Sequence, residues 1–94
     1  GTPVQATADG VVVSAGWNGA AGRMVRLRHK NNYETMYLHL SGFGPRIKAR
    51  ARVKGGDVIG YVGSTGRSTG PHVHFEVLRN GVPVNPLHYM TAAR

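Results

Sequence analysis

Five histidines and four acids carry whatever metal or acid–base chemistry this 94-residue chain performs, since it contains no cysteine. In His72-Val73-His74-Phe75-Glu76-Val77 a strand sends successive side chains to opposite faces. His72, His74 and Glu76 then point one way, and Val73, Phe75 and Val77 pack the other way into a core. Two imidazoles at i and i+2 stand close enough to share a metal or a metal-bound water. His39 repeats the arrangement, because alternation along Tyr33–Leu40 puts Thr35, Tyr37 and His39 on one face and Met36, Leu38 and Leu40 on the other. If the two strands are neighbours, one sheet face carries three imidazoles. Neutral imidazole is a common zinc ligand and also a general acid or base near neutral pH. The plain alternative for each is a surface or internally satisfied strand histidine, and spacing alone leaves both readings open.

The elements that would position these groups are short strands. Gly10–Trp17 places Val11, Val13, Ala15 and Trp17 on one face, with Trp17 expected to cap the core. Asn18–Gly22 reads as a turn. In Arg23–His29, Val25, Leu27 and His29 alternate against Met24, Arg26 and Arg28, which makes His29 a structural residue. Lys30-Asn31-Asn32 suits a bend, because asparagine tolerates positive φ. Val58–Val62 and His72–Leu78 are further strands, and Asn80-Gly81 is a strong hairpin signal leading into Val82-Pro83-Val84. Pro86–Met90 has room for one helical turn. With 14 glycines and 5 prolines and no long amphipathic helix, the expectation is one all-β domain over residues 1–94, built from antiparallel sheets.

The loop Gly63-Ser64-Thr65-Gly66-Arg67-Ser68-Thr69-Gly70-Pro71 runs straight into His72. It lacks the Gly-Lys-Ser/Thr ending of a phosphate-binding loop, and a strand rather than a helix follows it. A tight groove wall is the better reading. Together with Tyr37-Leu38-His39-Leu40 and Val58-Ile59-Gly60-Tyr61-Val62-Gly63, this loop closely resembles the lysostaphin-like (LytM-type) zinc metalloendopeptidases. Their signature is Ser-Thr-Gly-Pro-His-x-His-(Phe/Tyr)-Glu, preceded by Tyr-x-His-Leu. The resemblance runs from Gly1 to about Tyr89 and implies a β-sandwich of the duplicated hybrid motif type. It implies His74 as a zinc ligand, His72 as the catalytic general base, and His39 as a second catalytic histidine that orients the attacking water or stabilises the oxyanion. Tyr37, Ser68, Thr69 and Gly70 are the expected substrate-groove residues, with Thr69 a candidate hydrogen-bonding group. Glu76 is either an acceptor that orients an imidazole or the partner of an arginine.

Members of that family carry two more zinc ligands in a His-x(3)-Asp motif, usually shortly before an Ala-Pro-x-Gly-Thr-Pro-Val segment. Here Gly1-Thr2-Pro3-Val4 opens the chain, and no histidine stands four residues before Asp9. The expectation is therefore one Zn2+ in the complete domain, held weakly or not at all by this chain, with two ligands supplied from upstream of Gly1.

The net charge of +8 points to an anionic partner or surface. Arg46, Lys48, Arg50, Arg52 and Lys54 occupy alternate positions, so an extended segment would carry a cationic stripe that either attracts anionic wall polymers or protects a sheet edge by charge. The stripe has little aromatic interleaving, which argues against nucleic acid. No apolar run approaches the roughly 18–20 residues of a membrane span. The resemblance implies cleavage of peptide cross-links or stem peptides in bacterial peptidoglycan, in the periplasm or outside the cell. The alternative is a catalytically degenerate module that binds wall or activates another hydrolase. Phosphotransfer through histidine fits the Gly-Pro-His-x-His sequence less well.

Overall fold

Alternating patterns broken by glycine, asparagine and proline give short strands joined by tight turns. The computed structural model describes residues 1–66 and 74–84, except for the side chain of His74. In chain order the strands are β1 (Pro3–Gln5), β2 (Gly10–Trp17), β3 (Arg23–Arg28), β4 (Tyr33–Leu40), β5 (Gly42–Phe43), β6 (Arg52–Val53), β7 (Val58–Tyr61), β8 (His74–Arg79) and β9 (Val82–Val84). They form a six-stranded sheet ordered β6-β2-β3-β4-β8-β9 and a three-stranded sheet ordered β1-β7-β5. Every pairing is antiparallel. The all-β antiparallel expectation holds. Among the described residues no helix is long and apolar enough to cross a membrane.

The core lies between the two sheets. Val12, Val25, Leu27, Tyr37, Leu40 and Val53 of the large sheet meet Ile59 of β7 and Ala6, and Val4 and Phe43 of the small sheet pack against that cluster. Each fully buried aliphatic side chain contributes roughly 1.5–3 kcal/mol.

The turns follow the sequence closely. A 3-10 turn at Gly19–Ala21 joins β2 to β3, where the Asn18 N–H donates to the Gly22 carbonyl at 2.8 Å. Asn31 and Asn32 both take positive φ, at 61° and 60°. Asn80 and Gly81 do the same at the β8–β9 hairpin, at 53° and 79°, as a type I′ turn requires.

Three expectations change. First, the β2–β3 register slips between Val12 and Ser14. Val12 is therefore the buried residue while Val11 is 40% exposed, and only Ala15 of the expected inward set packs against the core. Second, Trp17 does not cap the core: it is 63% exposed, with the Arg23 guanidinium 5.9 Å from its ring centre. Third, the cationic stripe is not extended. Arg46 and Arg50 sit at φ of 62° and 74°, and only Arg52–Val53 is strand. The segment is bent because its backbone is tied to β2. The Arg50 N–H donates to the Val12 carbonyl and the Val12 N–H donates to the Ala51 carbonyl, each at 2.8 Å, while Ile47 and Ala51 pack against the core.

Arg50 is thus an exposed, non-glycine residue in the left-handed region, a placement that costs an L-residue about 1–2 kcal/mol. Glycine removes that penalty but adds freedom to the unfolded chain. Arg50→Gly is expected to raise the unfolding free energy by about 0.5 kcal/mol or slightly more. A lower denaturant midpoint for the variant would contradict this backbone assignment.

Candidate active site at a bulge in the central sheet

β4 lies between β3 and β8 in the six-stranded sheet. Its alternation holds through Tyr37, with Thr35 and Tyr37 buried at 4% and 2% exposure. The ladder to β3 then skips. Val25 pairs with Tyr37 and Arg23 pairs with Leu40, so Leu38 and His39 span what Met24 alone spans on β3. His39 takes up the extra residue at φ 61°. This is the two-against-one count of a β-bulge, with histidine in the left-handed conformation that glycine usually supplies. The penalty is about 1–2 kcal/mol, and such strain concentrates at functional sites.

The bulge resets which residues face the core. Leu40 joins Tyr37 in the core cluster, although unbroken alternation would have sent it to the opposite face. The expected grouping of Thr35, Tyr37 and His39 on one face, with Met36, Leu38 and Leu40 on the other, is therefore wrong beyond Tyr37. Its correction matters for chemistry. β8 pairs with β4 so that Tyr37 lies opposite Phe75, Leu38 opposite His74 and Met36 opposite Glu76. Opposed positions of an antiparallel pair share a face. The His74 position therefore belongs to the face of Leu38, and unbroken alternation would have put His39 on the other one, with Tyr37 and Phe75. The bulge interrupts that series, so the face of His39 no longer follows from alternation along β4. The expectation that the two histidine-bearing strands are neighbours is met. His72, Ser68, Thr69, Gly70, His88, the side chain of His74 and the Pro86–Met90 segment lie outside the described residues.

His39 as a whole residue is 7% exposed. Its Nδ1 is 2.7 Å from the Thr65 carbonyl oxygen. A carbonyl only accepts, so Nδ1 carries the proton and, in the neutral ring, Nε2 is the lone-pair nitrogen. Thr65 is itself tied to both strands at the bulge. Its hydroxyl donates to the Leu40 carbonyl at 2.6 Å and accepts from the Arg23 N–H at 3.0 Å. Gly22, at φ 66°, leaves the space for it: a Cβ there would come within 2.5 Å of Thr65.

Tyr37, expected along the groove, is instead a core residue. Its ring lies 5.3 Å from that of Phe75 at 51°. Its hydroxyl receives the Thr7 N–H at 3.2 Å and the Thr35 hydroxyl at 3.0 Å. His29 is structural, as expected: Nδ1 lies 2.8 Å from the Asp9 carbonyl oxygen and Nε2 lies 2.7 Å from Thr35 Oγ1.

Among the described residues no group of three His, Cys, Asp or Glu side chains is placed to hold a metal ion. Nor is His39 placed as a ligand through Nδ1, which is committed to Thr65. The described residues do not make a zinc site by themselves.

Sequence reasoning missed Thr65. Ser-Thr-Gly occurs twice in the loop, at 64–66 and at 68–70, and nothing in that spacing tells which copy reaches His39.

Over residues 1–86 the chain matches the family model described as Peptidase family M23. It is 56% identical over 87 residues to the DD-carboxypeptidase/endopeptidase Mpg of Neisseria meningitidis serogroup B, covering 93% of this chain and 20% of that protein. It is 49% identical over 86 residues to the peptidoglycan DD-endopeptidase ShyC of Vibrio cholerae, covering 92% and 19%. Among solved structures, the catalytic domain of the antimicrobial peptidase lysostaphin from Staphylococcus simulans superposes with a TM-score of 0.87 at 35% identity, covering 97% of this chain and 71% of that one. The chain spans about a fifth of the length of the curated relatives it matches.

Proposed function

This chain belongs to peptidase family M23, and on that premise we propose that its complete domain is a zinc-dependent endopeptidase cleaving peptide cross-links or stem peptides of bacterial peptidoglycan. The observation that carries the reading is the bulge at His39. It holds a buried imidazole in a left-handed backbone conformation, one residue beyond Leu38, which pairs with the His74 position, and a carbonyl fixes the ring's tautomer.

In this reading His72 takes the proton from the attacking water. His39, with its proton held on Nδ1, offers Nε2 as an acceptor to orient that water. The alternative role for His39 is to stabilise the oxyanion, which requires the ring to be in its doubly protonated form before the attack. His74 is one zinc ligand, and two further donors come from residues upstream of Gly1. Zinc, when bound, supplies Lewis acidity and acidifies water. Ser68, Thr69 and Gly70 line the substrate groove. Tyr37 has no place in that groove, since its side chain is consumed by the core.

Anionic wall polymers are proposed partners of the basic end of the β2–β3 hairpin. Arg28, Lys30, Arg52 and Lys54 line one open depression there with Asp9 and Asp57. Both carboxylates are taken by backbone, Asp9 by the Gly55 N–H and Asp57 by the Lys54 N–H, each within hydrogen-bond distance. The four cations outnumber the two carboxylates, so the depression keeps a positive sign. The proposed location is the cell envelope or the medium, where such substrates are found.

The test is digestion of purified peptidoglycan by the full-length protein. The expected products carry new free amino groups and no new reducing sugar ends, and their release stops on chelation and resumes with zinc. Wall binding without amine release, and no zinc in the purified protein, would instead support the non-catalytic activator.

A further inference from the structure

We propose that Thr65 is a positioning residue for His39, setting both the tautomer and the direction of its imidazole. The inference rests on the catalytic reading of His39. Arg23 and Leu40 are register partners across β3 and β4. Between them stands the Thr65 hydroxyl, which accepts the Arg23 N–H at 3.0 Å and donates to the Leu40 carbonyl at 2.6 Å. A side chain from another part of the chain thus bridges the ladder at the bulge, as an ordered water would. A hydroxyl can do this because it is donor and acceptor at once. With the side chain clamped at both ends, the carbonyl of the same residue is held 2.7 Å from His39 Nδ1.

The clamp is built for close approach on all sides. A Cβ on Gly66 would come within 2.4 Å of the Ala20 carbonyl oxygen, and one on Gly63 within 2.4 Å of the Ser41 N. The segment 63–66 is therefore seated against the β2–β3 turn and the end of β4. In sequence it continues into residues 67–72, which contain the second proposed catalytic histidine. One threonine anchors the loop that leads to His72 and orients the ring of His39. This is the arrangement by which an outer hydrogen-bonding partner fixes a histidine tautomer, and loss of such a partner typically costs 10–100-fold in activity.

The test uses full-length protein labelled with 15N at histidine, together with Thr65→Ser and Thr65→Val. Two-bond 1H–15N spectra of the wild type should show His39 protonated at Nδ1 with a lone-pair Nε2. Thr65→Ser keeps the hydroxyl and should keep both that signature and kcat within about threefold. Thr65→Val has nearly the same shape without the hydroxyl. It should lose the single-tautomer signature and about 10–100-fold in kcat, with KM nearly unchanged. A wild-type ring protonated at Nε2 instead overturns the proposal whether or not the valine variant folds. So does a folded Thr65→Val with unaltered kcat and tautomer. If the wild type shows no peptide hydrolysis at all, the functional reading fails, while the ring spectra still decide the role of Thr65.

Discussion

His39→Ala and His39→Gly are both expected to lose about 10²–10⁴-fold in kcat, yet the glycine variant should be the more stable of the two. The two substitutions delete the same ring, the same bond to Thr65 and nearly the same packing. They differ in the backbone. Position 39 sits at φ 61°, where alanine carries the left-handed penalty of about 1–2 kcal/mol and glycine does not. In an ordinary strand the order is reversed, since glycine is worse than alanine by roughly 0.5–1 kcal/mol. The inverted order is therefore a specific fingerprint of the bulge. His39→Asn is a useful third variant, because asparagine tolerates positive φ and its amide can still donate to the Thr65 carbonyl while doing no acid–base work. It should fold well and be inactive. Kinetics on peptidoglycan and denaturant unfolding of the full-length variants check both halves. An alanine variant more stable than the glycine variant would refute the backbone argument. An active His39→Ala would refute the catalytic one.

What could be read in the residues, and what could not, divides along a physical line. Local rules worked wherever the deciding energy was local. Asn31, Asn32, Asn80 and Gly81 are turn residues by their own φ preference, and they turn where expected. Val25 and Leu27 alternate into the core because β3 is regular. Alternation failed at the irregular pairings, on β2 between Val12 and Ser14 and on β4 between Tyr37 and Leu40. A bulge is a property of two strands together, so no period read along one of them reveals it. The basic segment misled for a related reason. Its even spacing of charges fits a strand, but its backbone is spent on β2 through Arg50 and Ala51, and it bends to allow this. The candidate site was proposed from three histidines and a motif, of which the described residues include the side chain of His39 alone. That a bulge falls at His39, and that Thr65 rather than a neighbouring residue holds its ring, are long-range facts with no trace in local spacing.

Tyr37 provides the sharpest contrast between motif and structure, and its substitutions should separate stability from catalysis. The residue sits two positions before His39, inside the Tyr-x-His-Leu signature, which invites a role at the substrate. Its side chain is nevertheless 2% exposed. The ring packs on Phe75, and the hydroxyl takes the Thr7 N–H and the Thr35 hydroxyl. Thr35 Oγ1 in turn meets His29 Nε2, whose ring reaches the Asp9 carbonyl. The tyrosine hydroxyl therefore joins β4 to the segment before β2 through a chain of polar groups inside an apolar layer. Tyr37→Phe keeps the ring and removes the hydroxyl shared by Thr7 and Thr35, while Thr35 Oγ1 keeps His29 Nε2 at 2.7 Å. Losing such a hydrogen bond while the remaining groups keep partners costs about 0.5–1.5 kcal/mol. Tyr37→Ala empties the core beside Phe75 and should cost about 3–5 kcal/mol, a large share of the roughly 5–15 kcal/mol that holds a domain together. Under conditions where the phenylalanine variant is fully folded, its KM for peptidoglycan fragments should match that of the wild type and its kcat should fall no more than a few-fold. A raised KM with unchanged unfolding free energy would return Tyr37 to the groove wall. Loss of stability at constant KM would place the tyrosine of the motif where the packing places it, as the support beneath the bulge rather than a hand on the substrate.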